Sequence, residues 1–230
     1  MRSRSLPEDD GFDRIYGIVR ILYILSILSK KMSANTYLTE RERRILESAR
    51  VGIAGAGGLG SNVAMLLVRA GIRKFVIADF DEVNESNLNR QFFFRGQIGE
   101  KKVDALARNL RLVEPDLELE LCDARLTSGN VAEVFAGCVV VVEAFDAAES
   151  KTMLLDALLP SGRPVVAATG LAGWGRSNEI KTRKVGRNLV LVGDQSRGVG
   201  DGLSPVGTRV MIAAAHQANA VCALLLGEEL

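Results

Sequence analysis

The spacing of apolar residues alternates between two patterns from Thr39 onward. Short apolar runs such as Val51–Ala54 are typical of buried strands. Between them lie stretches in which apolar residues recur every three or four positions, as on one face of an amphipathic helix. Within Ile98–Val113 these residues are Val103, Leu106, Ala107 and Leu110. The succession of strands and helices predicts the α/β class, with a doubly wound, Rossmann-like and mostly parallel sheet.

The predicted elements follow one another along the whole of this region. Strands are expected at Val51–Ala54, Lys74–Asp81, Leu117–Cys122, Cys138–Phe145, Arg163–Gly170, Asn178–Val185 and Asn188–Asp194. Helices are expected at Thr39–Ala49, Ser61–Ala70, Ile98–Val113, Thr127–Gly137, Ala147–Pro160 and Thr208–Gly227. The last two strands flank Gly186 as a pair, so antiparallel strands are expected near the C-terminus.

The beginning of the chain does not fit this pattern. Ile15–Ser29 is almost wholly apolar, but it is shorter than the roughly 20 residues of a membrane-spanning helix and contains Arg20. Residues 1–31 are an uncertain N-terminal extension: a segment outside the fold, an amphipathic docking helix and a membrane anchor all stay open. Residues 32–230 are predicted to form a single nucleotide-binding domain, with no membrane association expected.

Composition excludes several classes of protein. The net charge is +1, so nothing in the overall charge indicates binding to nucleic acid. Hydrophobic residues make up 47% and charged residues 25% of the chain, which is ordinary for a globular domain. The three cysteines form no CxxC pair, which argues against a disulfide scaffold and a structural zinc site and favours a cytoplasmic location.

A glycine-rich turn joins the first predicted strand of the sheet to the next helix. Gly55, Gly57 and Gly60 have the G-x-G-x-x-G spacing, with Gly58 between them. The free N–H groups and the dipole of a helix N-terminus favour a phosphate, and Asp79 follows at the distance of a ribose-binding acid. The turn predicts a bound nucleotide. It does not distinguish an NAD(P)-dependent oxidoreductase from an enzyme that uses ATP.

The loop after the second strand favours ATP. Its polar side chains are Asp79, Asp81, Asn87, Asn89, Arg90 and Gln91. Asn87, Arg90 and Gln91 supply hydrogen bonds and positive charge for the β- and γ-phosphate oxygens, which a redox enzyme does not need. Lys101 and Lys102 are expected in the first turn of the following helix, where a bound phosphate would offset their unfavourable interaction with the helix dipole. Lys102 adjoins the apolar stripe and is expected to point into the cleft.

Asp146 lies just past the predicted strand Cys138–Phe145, at the edge where open α/β sheets bind ligands. A carboxylate beside a phosphate repels it unless Mg²⁺ lies between them, so Asp146 is a candidate metal ligand. It could instead orient an attacking carboxylate. It is also a candidate N-cap of the next helix, and one side chain could serve both purposes.

Together these segments resemble the ThiF/MoeB group of the ubiquitin-activating-enzyme-like superfamily. The likeness is closest to its short, zinc-free ThiF-type members, which adenylate the sulfur carrier protein ThiS. The shared motifs run from about Thr39 to Gly227: GAGGLGSN, DFDEVNESNLNRQ, QIGEKK, VVEAFDAAESK, SNEIKTRK and IAAAHQAN.

The resemblance implies a homodimeric enzyme that uses ATP and Mg²⁺. Its reaction would be adenylation of the C-terminal Gly-Gly carboxylate of a ThiS-like carrier in thiamine thiazole biosynthesis, with release of pyrophosphate. The family's ribose-binding acid falls on Asp79, and its phosphate-binding residues fall on Asn87 and Arg90. Its helix lysine falls on Lys102 and its metal-associated aspartate on Asp146.

Two departures from the family pattern leave parts of the reaction open. The two CxxC pairs and the loop cysteine of longer members are absent from this sequence, so structural zinc is not expected and a covalent cysteine step stays open. The family's arginine finger is also not recognisable. The alternatives are adenylation of a molybdopterin-type or other ubiquitin-like carrier, adenylation of a small carboxylate, an NAD(P)-dependent oxidoreductase, and a non-catalytic binding protein.

Overall fold

The structure is a computed structural model, and it describes residues 37–198 and 202–230. Leu38–Leu230 form one compact unit. The extension over residues 1–31 lies outside the described residues, so the alternatives for that segment stay predictions.

Strands and helices alternate along the described residues. The helices are α1 (Glu40–Ser48), α2 (Gly58–Ala70), α3 (Lys102–Val113), α4 (Val131–Val134), α5 (Ala148–Leu158) and α6 (Gly207–Leu226). The strands are β1 (Arg50–Ala54), β2 (Lys74–Ala78), β3 (Glu118–Cys122), β4 (Val140–Glu143), β5 (Val165–Ala168), β6 (Lys181–Val185) and β7 (Leu189–Gly193). Four short 3-10 turns lie at Glu85–Asn87, Arg95–Gln97, Leu159–Ser161 and Ser177–Glu179.

All these strands form one sheet in the order β3-β2-β1-β4-β5-β7-β6. Neighbouring strands are parallel except β6, which pairs with β7 in the antiparallel sense at the edge. The chain runs outward from β1 to β3 and then returns to place β4 beside β1. The sheet is therefore doubly wound, with its switch point between β1 and β4. The predicted fold class is confirmed, including the antiparallel strands near the C-terminus.

Helices cover both faces of the sheet. On one face α2 and α6 pack against each other, and with α1 and α3 they cover buried residues of β1 such as Val51 and Ile53. On the other face α4 and α5 lie over Val141 of β4, where Phe135 and Leu154 are fully buried. Burial on both faces explains why the central strands are almost wholly apolar. The two cores fix the strand ends from which the site loops extend.

Two helices differ from the predicted ones. The segment Thr127–Gly137 forms only the single turn α4. Its first residues bend into a loop because the Oδ1 of Asn130 accepts a hydrogen bond from the N–H of Thr127 at 2.8 Å, a contact that competes with helix formation. In contrast, α2 begins at Gly58 rather than at the predicted Ser61, so the last glycines of the turn already belong to the helix.

By length and composition alone, α6 could cross a membrane, and no other helix in the described ranges could. In this domain it packs on α2 and buries polar residues, including Arg209 and Gln217, within the fold. A core helix of this kind meets the same two criteria, so they do not indicate a membrane span.

Candidate functional site

The glycine turn between β1 and α2 lies at the switch point of the sheet. Gly55 has a φ of 99°, and a Cβ there would lie 2.9 Å from the carbonyl oxygen of Ala144, which follows β4. A Cβ at Gly60 would lie 1.7 Å from the carbonyl oxygen of Gly55. Both positions need glycine because the backbone of the turn passes so close to β4 and to itself. Gly57 is the N-cap of α2, whose N-terminus therefore lies at the carboxyl edge of the sheet.

Asp79 follows β2 and supports the turn from the side. Its Oδ2 accepts a hydrogen bond from the N–H of Ala56 at 2.6 Å, and its Oδ1 accepts one from the N–H of Asp81 at 2.9 Å. Burial raises the pKa of the Asp79 carboxyl above its usual value, against the lowering effect of Lys102 and of the two N–H groups. Each carboxylate oxygen still has a lone pair for a further donor, such as a ribose hydroxyl.

Ser61 and Asn62, which the sequence analysis did not single out, tie the polar segment Asn87–Gln91 to the first turns of α2. The Nδ2 of the buried Asn62 donates to the carbonyl oxygen of Arg90 at 2.8 Å. The Oγ of Ser61 accepts a hydrogen bond from the N–H of Phe92 at 3.0 Å. The available signal was their place directly after the glycines, because serine and asparagine at the start of a helix often bond to backbone groups.

Arg90 lies beside the N-terminus of α2. A Cβ at Gly58 would meet the Cγ of Arg90 at 3.4 Å. Its Nη1 donates to the carbonyl oxygen of Ser86 at 3.0 Å and to the Oδ1 of Asn89 at 2.8 Å. Both bonds use the same nitrogen, so the other N–H groups of the guanidinium remain available to an anion. The structure thus brings Arg90 and the glycine turn together.

Gln91 and Asn87 complete this side of the turn. The side chain of Gln91 is 9% exposed, and its Oε1 has no hydrogen-bond partner among the described residues. Its Nε2 lies 3.8 Å from the position that a Cβ of Gly57 would take. The Oδ1 of Asn87 accepts a hydrogen bond from the N–H of Asn84 at 3.0 Å, which leaves its amide nitrogen to donate elsewhere.

Lys102 faces the loop after β2. It is buried, and its Nζ forms an ion pair with the Oδ2 of Asp81 at 2.7 Å. Lys101 is the N-cap of α3 rather than part of its first turn, and its Nζ pairs with Asp123. Of the two lysines predicted in that turn, only Lys102 is there, held close to Asp79 and Asp81.

Asp146 lies on the other side of the switch point, in the loop between β4 and α5. It is exposed and forms no hydrogen bond or ion pair with any described residue. The N-cap of α5 is Ala147, so Asp146 is not the helix cap that the sequence left open. Within residues 37–198 and 202–230, no three His, Cys, Asp or Glu side chains form a complete metal site by themselves. A single free carboxylate still fits Mg²⁺, which proteins usually hold with one or two carboxylates together with substrate phosphates.

A buried ion pair beneath this loop was not predicted. Glu143, at the end of β4, is completely buried, and both of its carboxylate oxygens lie 3.0 Å from the Nζ of Lys151 on α5. The signal in the sequence was a single acid inside the apolar run Cys138–Phe145, because a buried carboxylate needs a partner.

These features define an α/β domain with a glycine-lined polar site at the switch point of its sheet. The model of the ThiF family matches residues 28–230 of the chain. The chain belongs to the ThiF family, and the resemblance to the ThiF/MoeB group is confirmed.

Several curated proteins are similar to the chain over part of their length. The SAMP-activating enzyme E1 of Haloferax volcanii is 38% identical over 128 residues, which cover 55% of this chain and 47% of that protein. The sulfur carrier protein adenylyltransferase of Thermus thermophilus is 34% identical over 122 residues, 53% of this chain and 45% of that protein. The chain therefore spans less than half the length of these relatives.

Solved structures share the fold at low identity. The tRNA N6-threonylcarbamoyladenosine dehydratase TcdA of E. coli, in complex with AMP, superposes with a TM-score of 0.77 at 20% identity, over 84% of this chain and 93% of that one. MccB of E. coli with ATP has a TM-score of 0.64 at 18% identity, over 80% of this chain and 58% of that one.

Proposed function

We propose that the chain is an ATP-dependent adenylyltransferase that activates the C-terminal carboxylate of a ubiquitin-like sulfur carrier. The observation that carries this proposal is the position of Arg90, whose side-chain methylene groups lie beside the N-terminus of α2 and whose guanidinium keeps N–H groups free. A redox dinucleotide has no need of a cation beyond the helix N-terminus, whereas a triphosphate does. Relatives named as carrier-activating enzymes support the same class.

In this proposal ATP lies along the glycine turn. The ribose hydroxyls donate to Asp79, and the triphosphate receives hydrogen bonds from the N-terminus of α2, Asn87, Arg90 and Gln91. Lys102 reaches the phosphates by exchanging its bond to Asp81 for one to the nucleotide. Asp146 would hold Mg²⁺, and the ion when bound would neutralise charge on the phosphates.

The carrier carboxylate attacks the α-phosphorus in line. A bond forms between a carboxylate oxygen and that phosphorus, the bond from phosphorus to the bridging oxygen breaks, and pyrophosphate leaves with the electron pair. No protein nucleophile is required, so positioning and charge stabilisation carry the rate. The state of two cysteines agrees with a reaction that uses no protein nucleophile. Burial raises the pKa of both Cys138 and Cys222 to about 11 and keeps them as thiols.

The surface at the far end of the same edge supports a protein substrate. Trp174, in the loop after β5, is 69% exposed. Two residues further on, Arg176 lines an open cleft of about 340 Å³ together with Glu179, Lys181, Arg183, Asp194 and Ser196. An exposed tryptophan beside a cleft of mixed charge suits a protein surface that carries an apolar patch and charged groups of both signs. We take the carrier to be ThiS-like, ending in Gly-Gly, and the enzyme to act as a homodimer.

ATP–pyrophosphate exchange tests the proposed function. Purified protein is expected to catalyse exchange only when a ThiS-like carrier ending in Gly-Gly is present, because the carboxylate is the attacking group. A carrier that lacks the two glycines is the matched control. If the protein binds ATP but gives no exchange with any Gly-Gly carrier, the adenylation of such carriers is contradicted. Binding of NAD(P) in preference to ATP would favour the oxidoreductase instead.

The raised pKa of Asp79 predicts how nucleoside binding depends on pH. Protonation of Asp79 weakens it as an acceptor for the two backbone N–H groups and a ribose hydroxyl, so adenosine affinity is expected to fall as the pH is lowered towards the raised pKa of Asp79. The fall begins at a higher pH than an ordinary Asp would give, because burial favours the neutral form. Adenosine is the probe because it carries no titrating phosphate. Calorimetry on the wild type and Asp79→Asn checks this, since a pH dependence that persists in the variant would rule Asp79 out.

A further inference from the structure

We propose that the buried ion pair between Glu143 and Lys151 positions the Asp146 loop for the adenylation step. Both act as positioning residues, and the inference rests on the proposed function because Asp146 is the group through which they act. The pair lies directly beneath the switch point, between the end of β4 and the first turns of α5.

Lys151 is fully engaged within the fold. Its Nζ donates to Oε1 and Oε2 of Glu143 and to the carbonyl oxygen of Ala168 at the end of β5, each at 3.0 Å. An ammonium group has three N–H bonds, and each has an acceptor here. Lys151 therefore joins β4, β5 and α5 at one point and leaves no N–H for a ligand.

Glu143 connects the ion pair to the loop that carries Asp146. Its Oε1 also accepts a hydrogen bond from the N–H of Phe145 at 2.7 Å, one residue before Asp146. The N–H of Ala144 donates to the carbonyl oxygen of Ala54 at 2.9 Å, which holds the loop against the start of the glycine turn. The direction in which the chain leaves β4, and with it the place of Asp146, depends on where the Glu143 carboxylate is held.

The backbone beneath the loop is fixed independently. Gln217 of α6 is buried, and its Nε2 donates to the carbonyl oxygens of Glu143 at 3.0 Å and Val166 at 3.1 Å. The ends of β4 and β5 would keep their places in a variant that lacks the ion pair. The loss would then be confined to the loop.

Stability alone does not account for an ion pair at this place. Replacing a buried pair with apolar residues of similar volume is often neutral or stabilising, because desolvation of two charges offsets their attraction. An apolar residue at position 143, however, could not accept the N–H of Phe145. The carboxylate is needed to hold the loop, and the ammonium is needed to keep the carboxylate ionised and in place.

Exchange kinetics of Lys151 variants test the proposal first. Lys151→Met is expected to lower kcat for ATP–pyrophosphate exchange by about 10- to 100-fold, the usual effect of losing a group that orients a functional ligand. Lys151→Arg keeps a cation on Glu143 and is expected to restore most of the rate. The matched control is Lys74→Met, which removes a lysine ion pair to Glu118 at the opposite edge of the sheet and should leave the rate unchanged.

A double-variant cycle separates positioning from general damage. If Lys151 acts through Asp146, then Lys151→Met should have almost no further effect once Asp146→Ala is in place. If the rate reductions caused by Lys151→Met and Asp146→Ala multiply in the double variant, the proposal is overturned. The number of ATP molecules bound per chain is measured for each variant, so that a smaller folded fraction is not mistaken for a slower step.

Hydrogen–deuterium exchange provides a readout that does not depend on activity. The amide of Phe145 is expected to exchange at least tenfold faster in Lys151→Met and in Glu143→Ala, while amides of β4 and β5 keep their protection. Unchanged protection at Phe145 would overturn the proposal even if the wild type is active. The two proposals can also fail separately. If the variants show faster hydrogen–deuterium exchange at Phe145 but the wild type catalyses no ATP–pyrophosphate exchange, the positioning of the loop is supported and the proposed function is contradicted.

Discussion

Replacement of Arg90 with alanine is expected to reduce ATP–pyrophosphate exchange by about 100-fold or more, the usual cost of removing one charge-stabilising donor from a transition state. The side chain of Arg90 passes beside the N-terminus of α2, where the phosphates of ATP are proposed to lie. The melting temperature should hardly change, because Asn62 anchors the segment through the backbone carbonyl of Arg90 and not through its side chain. Arg90→Lys should recover only part of the rate, since lysine is a point charge without the arginine fork.

Arg95→Ala is the matched control for this prediction. Arg95 is exposed and pairs with Glu85 at 3.0 Å, so its removal changes the net charge of the same loop without touching the turn. If Arg90→Ala and Arg95→Ala both keep exchange within about threefold of the wild type, the loss of transition-state stabilisation is under about 0.7 kcal/mol, and Arg90 is not part of the phosphate site.

The fold was predictable because the burial of each strand and helix determines how apolar residues are spaced along the sequence. Strands such as β1 and β4 are covered on both faces, so they are apolar except for Arg50 and Glu143 at their ends, and the helices between them carry an apolar stripe. The errors lie at boundaries where a single contact decides the conformation. The hydrogen bond between Asn130 and Thr127 shortens α4, and the glycine turn lets α2 begin at Gly58.

The glycine turn and Asp79 were predictable as parts of the site because they are local features of one β-α-β unit. The contacts that hold the site together are not local. Asn62 reaches Arg90 across 28 positions, and Gln217 reaches Glu143 across 74. A single sequence records the residue types at these positions but not which of them meet. The partner of Lys102 was missed for the same reason, since Asp81 lies 21 positions before it.

Gly60→Ala is expected to lower the free energy of unfolding by more than about 4 kcal/mol, the range reached only when a substitution conflicts with a fixed part of the fold. The new Cβ would lie 1.7 Å from the carbonyl oxygen and 2.9 Å from the carbonyl carbon of Gly55. Both are backbone atoms, so no side chain can turn aside to make room. The turn must move, but Gly55 is confined by its approach to Ala144 and by its N–H bond to the carbonyl oxygen of Ala78 at 2.8 Å.

Thermal and urea unfolding of Gly60→Ala measure this effect beside Gly96→Ala. No atom lies within 4 Å of the Cβ that a residue at position 96 would carry, so that variant reports only the loss of a glycine. Gly60→Ala is expected to melt at least about 10 °C lower, whereas Gly96→Ala should stay within a few degrees of the wild type. Equal melting temperatures would mean that the turn opens at little cost. The close backbone approaches within the glycine turn and between the turn and β4 would then not determine the shape of the phosphate site. Glycine at position 60 would be needed only for contact with the ligand.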